Sequence, residues 1–174
     1  MSLFYLDEVG FSLSLGVTYT WSKRGSKNRL HTPLSWSSRG RLNLIGALAW
    51  KTRTLHFETF EESIKSKQAV AFIDAIAQGA DPDKLTVIVL DNARFHTSIK
   101  IKEKQPEWEK KGVLLRFLPP YCPHLNPIEA LWKQLKSFLL PRRHYDSLSS
   151  LKQAVFAALD LLGAIRVRSK VGSA

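Results

Sequence analysis

Three carboxylates stand where a charge is costly to place. Asp7 closes the apolar run LFYLD, and Asp91 closes the β-branched run TVIVLD, with NARFH following. Glu129 lies in LPPYCPHLNPIEALW, two residues past the Pro of an Asn-Pro helix start. An acid at the end of a buried strand loses hydration and needs a compensating partner. Mg²⁺ prefers carboxylate and water oxygens. Two such ions roughly 3.5–4 Å apart activate an attacking oxygen and stabilise a leaving one in phosphodiester chemistry. Three acids from three segments therefore suggest a shared site for divalent metal. Each acid also has a plain structural reading: Asp7 and Asp91 as turn residues, and Glu129 as the third-position partner of a capping box on Asn126.

The charge distribution favours the first reading. The 174 residues carry 26 Lys and Arg against 15 Asp and Glu, a net charge of +11. No acid occurs between Glu8 and Glu58, a stretch holding Lys23, Arg24, Lys27, Arg29, Arg39, Arg41, Lys51 and Arg53. A second acid-free stretch, between Glu129 and Asp146, holds Lys133, Lys136, Arg142 and Arg143. Basic surface around an acidic centre suits a phosphate backbone beside a metal site. Arg24, Lys27, Arg29, Lys133 and Lys136 are the candidate DNA contacts; the plain alternative for Lys133 and Lys136 is a solvated helix face. A lone Cys122 gives neither an intrachain disulfide nor a cysteine-based zinc site. No apolar stretch approaches a membrane span, and MSLFYLDE lacks the features of a signal peptide. These features point to a cytoplasmic, nucleoid-associated protein.

The elements that must position the acids follow from periodicity. Residues 3–7 and 11–21 favour β structure, 22–41 read as a basic loop or ragged hairpin, and 41–50 and 54–60 as two further strands. Helical spacing appears over 63–78, with Ser63 as a possible cap. Residues 86–91 and 113–119 are short apolar runs, typical of strands buried on both faces. The segment 97–111 reads as a helix that Pro106 should break. Asn126 can cap, and Pro127 begin, a helix with the apolar stripe Ile128, Leu131, Trp132, Leu135 and Leu139, ended by Pro141. A last helix spans 147–162, and the tail reads as loose. The order βββ-α-β-α-β-α-α predicts an α/β fold with a mixed five-stranded sheet flanked by helices. Asp7 and Asp91 can then sit on neighbouring central strands. Asp7 and Glu8 face opposite sides of a strand, so only one of them can enter such a site.

The early LDE with TYTWSKRG, then VLDNARFH and LPPYCPHLNPIEALW, together resemble the catalytic core of DDE transposases, in the bacterial insertion-sequence branch of the mariner-type superfamily. The resemblance covers roughly residues 3–160. It implies an RNase H-like catalytic domain over 1–163 with a tail at 164–174. It implies a site for two Mg²⁺ or Mn²⁺ ions on Asp7, Asp91 and Glu129, with Asn92 and His96 in support. The implied activity is cleavage at transposon ends and joining of the freed 3′-hydroxyl to target DNA at a TA dinucleotide, in a synaptic homodimer. Cys122 and His124 depart from the serine and acidic residue usual at those positions. Family members also carry upstream helix-turn-helix modules, absent here, so a separate upstream DNA-binding polypeptide is an expected partner. The competing expectations are a truncated, DNA-binding or regulatory remnant without catalysis, and a structure-selective nuclease on the same fold.

Overall fold

In a computed structural model, the described residues are 1–13, 40–91, 98–119, 122–141, 144–162 and 166–168. The chain opens with three antiparallel strands, β1 (Ser2–Ser12), β2 (Arg41–Ala49) and β3 (Thr54–Phe60). Helix α1 (Ser66–Gln78) leads to β4 (Thr86–Leu90), and α2 (Ile99–Lys110) leads to β5 (Val113–Phe117). Helices α3 (Pro127–Gln134) and α4 (Leu148–Asp160) follow, and β6 (Arg166–Arg168) ends the described chain. The sheet runs β5-β4-β1-β2-β3-β6, with β4 parallel to β1 and to β5. This is the predicted mixed sheet, with β1 at the junction of its antiparallel and parallel halves.

The side-chain alternation of β1 divides the core into two layers. Leu6 faces α1 and α2, where it joins Ile45, Phe72, Ile73, Ile88, Leu90 and Trp108. Val9 and Phe11 face α3 and α4, with Leu42, Leu44, Leu131, Trp132, Val155 and Leu159. Asp7 shares the parity of Val9 and Phe11, so its side chain lies on the α3 side of the sheet; Glu8 lies on the other.

Four details differ from the sequence expectations. Helix α1 begins at Ser66 with Lys65 as N-cap, because Gln68 Oε1 accepts the Lys65 N–H at 3.1 Å; Ser63 takes no capping role. Helix α2 runs unbroken through Pro106. The fully buried Trp108 anchors its C-terminal half, donating from Nε1 to Asp74 Oδ1 at 2.7 Å. Helix α3 is shorter than its stripe suggested and widens into a π-helical turn over Leu135–Leu139, closed by Leu140 N–H to the Leu135 carbonyl at 2.9 Å. That wider turn buries Leu140 and leaves Phe138 79% exposed. Finally, the tail contributes a short edge strand, β6, parallel to the start of β3. Among the described residues no helix is long and apolar enough to cross a membrane.

The Trp108–Asp74 bond ties α2 to α1. Trp108→Phe keeps most of the packing and removes one hydrogen bond to a charged acceptor. It is expected to cost about 1.5–3 kcal/mol in urea unfolding, and to cost much less in an Asp74→Ala background.

Candidate active site

The register of the central strands sets the first two acids. β1 and β4 pair in parallel from Ser2↔Thr86 to Tyr5↔Val89. Two residues further along both chains, Asp91 comes level with Asp7. Alternation along β4 buries Ile88 and Leu90 against α1 and α2, which turns the next position towards the α3 side, where Asp7 lies.

Helix α3 brings the third acid by two contacts with the sheet. Opposite Asp7 on β2 stands Gly46. The Trp132 ring occupies the space a side chain there would fill: a Cβ on Gly46 would stand 2.7 Å from both Cη2 and Cζ2 of that ring. The missing side chain therefore lets α3 approach the strand backbone closely. At the start of the helix, Asn126 Nδ2 donates to the carbonyl of Leu6, the residue before Asp7, at 3.4 Å. Asn126 was expected as an N-cap, but its side chain makes no cap bond and is spent on β1 instead. Glu129 forms no capping box; only its backbone N–H bonds the Asn126 carbonyl, at 3.0 Å. The carboxylate of Glu129, half-buried in the first turn, is left available to the site.

Electrostatics show the convergence. The carboxyl of half-buried Asp7 is pushed up to about 7, first by burial and next by the charge of Glu8, with Asp91 and Glu129 adding repulsion; a hydrogen bond from the Glu8 backbone opposes them. Each pKa unit corresponds to about 1.4 kcal/mol, so ionising Asp7 in the fold is costly. Among the described residues, no three His, Cys, Asp or Glu side chains close into a ready ligand cage; the acids converge to within reach of one another's field. Oxygen donors, mutual repulsion and a destabilised anion fit a hard divalent cation, which would relieve all three charges. Two buried polar atoms nearby have no hydrogen-bond partner: Asn126 Oδ1 and Trp132 Nε1. Both belong to the contacts that seat α3, so this docking carries a desolvation cost.

Of the expected basic contacts, Lys136 is within the electrostatic reach of Asp7. It is exposed, its Nζ stands 5.7 Å from the Phe11 ring centroid, and its pKa is lowered by partial burial and then by Arg41, against the opposing pull of Asp7. Lys133 is exposed on α3. Arg24, Lys27, Arg29, Asn92 and His96 lie outside the described residues. The sequence reading overlooked Gly46, although a lone Gly inside the run RLNLIGALAW is itself a signal of close backbone approach.

A mixed sheet of this order with helices on both faces is an RNase H-like fold, and the charges of Asp91 and Glu129 both reach Asp7 on it. A family model described as DDE superfamily endonuclease matches residues 2–152, and the chain belongs to that family. The chain is 27% identical over 161 residues to the 39 kDa protein of insertion element IS630 from Shigella sonnei, covering 88% of this chain and 43% of that protein. It is similar in fold to the Mos1 strand transfer complex, with a TM-score of 0.66 at 14% identity over 93% of this chain and 48% of the Mos1 chain. It is also similar to the Mos1 mariner paired end complex with Mn, with a TM-score of 0.64 at 15% identity over 93% of this chain and 49% of that one. The chain thus spans about half the length of the relatives it matches.

Two outcomes follow from this geometry. Gly46→Ala sets a Cβ against the Trp132 ring. It should destabilise the fold by about 1–3 kcal/mol in chemical unfolding, with partial recovery when Trp132 is also replaced by Leu. The folded pKa of Asp7 lies above its ordinary value of 3.8. The native state therefore holds the proton more tightly than the unfolded state across that interval, and metal-free stability falls as pH rises from about 4 to about 7. Asp7→Asn should abolish that fall, so the variant gains stability over the parent between pH 5 and 8 in thermal melts without divalent ions.

Proposed function

We propose that this chain is the catalytic core of an insertion-sequence transposase, cutting DNA strands at the element's ends and joining the freed 3′-hydroxyl to target DNA. The observation that carries this reading is the match of residues 2–152 to the DDE superfamily endonuclease family, and the reach of the Asp91 and Glu129 charges to Asp7 agrees with it. Family membership supports the strand-cutting chemistry, and the insertion-element relative supports the setting.

In this reading Asp7, Asp91 and Glu129 hold two Mg²⁺ or Mn²⁺ ions, in keeping with the Mos1 complex with Mn. When bound, such ions stabilise the attacking and leaving oxygens of an in-line displacement at phosphorus. The protein's residues do the rest. Asp7 must give up its proton before it can act as a ligand, so loading is favoured as pH rises through about 7. Gly46, Trp132 and Asn126 keep Glu129 against the strand. Lys136 offers a cation at the edge of the acidic centre, where a strand phosphate would arrive. Asn92 and His96, beside Asp91 in sequence, are assigned to support of the site. A synaptic homodimer, a DNA-reading module and a cytoplasmic, nucleoid-associated setting belong to the same reading.

A supercoiled-plasmid nicking assay with Mn²⁺, followed by a strand-transfer assay on the element's ends, tests it. Asp7→Asn, Asp91→Ala and Glu129→Ala should each reduce nicking by at least about a thousandfold (about 4 kcal/mol) while keeping a cooperative melt. Retained nicking by Asp91→Ala sinks the assignment. DNA binding by the parent chain with no nicking, with or without an added DNA-reading module, identifies a regulatory remnant. Nicking of branched substrates alone, without end joining, identifies a structure-selective nuclease.

A further inference from the structure

The turn between β2 and β3 is built in a way its backbone does not favour. Ala49 and Thr54 form its last strand pair, leaving residues 50–53 as the loop. Arg53, at the final loop position, has φ of 52°, a left-handed conformation that Gly or Asn adopts far more readily. Its guanidinium is stacked on Trp50, with Cζ 4.5 Å from the ring centroid. Trp50 is fixed from behind: its N–H donates to the Leu3 carbonyl at 2.9 Å, and Tyr5 meets its ring edge-on at 5.8 Å between centroids. Despite its size the Trp50 ring remains 41% exposed.

The surroundings are cationic. Lys51 and Arg53 are exposed, and among the described residues neither is paired with a carboxylate. Strand β6 pairs with the start of β3 beside this turn, Arg166 opposite Thr54 and Arg168 opposite His56. Cations without a carboxylate partner raise one another's energy, and a polyanion lowers it. The corner is separate from the carboxylates: Ala49 pairs with Phe4, three residues back along β1 from Asp7, roughly 10 Å away.

We propose that the β2–β3 turn is a second DNA-contacting surface, in which Lys51 and Arg53 hold backbone phosphates outside the carboxylate centre. Trp50 is the platform that presents Arg53. Holding the duplex at two separated points fixes its direction across the acids, which a single basic patch does not. The choice of DNA as occupant rests on the function proposed above.

The test is fluorescence anisotropy of the full chain with a labelled duplex in EDTA over a salt series, so that no step depends on the carboxylates. Lys51→Gln with Arg53→Gly should weaken binding roughly tenfold and flatten the slope of log affinity on log salt by about 1.8, or 0.9 per phosphate contact. The melt should stay unchanged or rise, because Gly suits the turn. Unchanged affinity and slope overturn the proposal. So does conversion of a dimer to a monomer with unchanged affinity per protomer, which makes the turn a self-association surface. If the double variant fails to fold, Lys51→Gln alone decides, by a slope loss of about 0.9 or none. A Mn²⁺ nicking assay run in parallel separates the two readings: weakened binding in a chain that never nicks retains this surface and removes the transposase assignment.

Discussion

The structure turns on one electrostatic constraint: the Asp7 carboxyl is partly withdrawn from water on a sheet where the charges of Glu8, Asp91 and Glu129 all reach it. Asp7 is the centre of that constraint, because it lies midway along a strand paired on both sides. Its neighbours cannot withdraw. The parallel β1–β4 register sets Asp91, and the seating of Trp132 on Gly46 sets the helix that carries Glu129. A fold that needed only stability would place an apolar residue at position 7, in line with Val9 and Phe11. Retaining three acids here makes sense for a protein completed by divalent cations, whose binding free energy then adds to that of folding.

Much of this was legible in the sequence, for identifiable reasons. Strand β4 was visible because TVIVL is short, continuous and β-branched, and β3 because TLHFETF is bounded by turn residues. That Asp7 and Glu8 face opposite sides follows from the two-residue period of a strand, which the two-layer core bears out, whereas the choice of Asp7 came from the resemblance. Failures came where a local signal met a tertiary contact. Pro106 ought to stop α2, yet burial of Trp108 holds the helix together beyond it. Asn126 has the chemistry of a cap, yet its amide goes to the carbonyl of Leu6, which is distant in sequence. Gly46 was readable as an anomaly in a strand, but which ring would use the space depends on where α3 docks. The π-helical turn and the edge strand β6 left no signal, because both arise from how the chain closes back onto the sheet.

The basic residues complete the picture by their separation from the acids. Lys136 reaches the edge of the acidic centre along the Phe11 ring, and the β2–β3 turn collects its cations at the far end of the same strands. Opposite charges on one surface would ordinarily pair and cancel. On the proposed reading the sheet keeps them apart, with the acids for metal and the basic flanks for phosphate. That division suits a protein that grips a polyanion and cuts within it.

The central claim is that Asp7 keeps its proton until about neutrality and that, in the proposed reading, a divalent cation displaces it. Carbon-13 NMR of the side-chain carboxyl, titrated with and without saturating Mg²⁺, reads this directly. The account predicts an inflection close to 7 without metal and a displacement of at least about one unit to lower pH with Mg²⁺, equivalent to roughly 1.4 kcal/mol of coupling. An inflection near 4, unmoved by Mg²⁺, would contradict it.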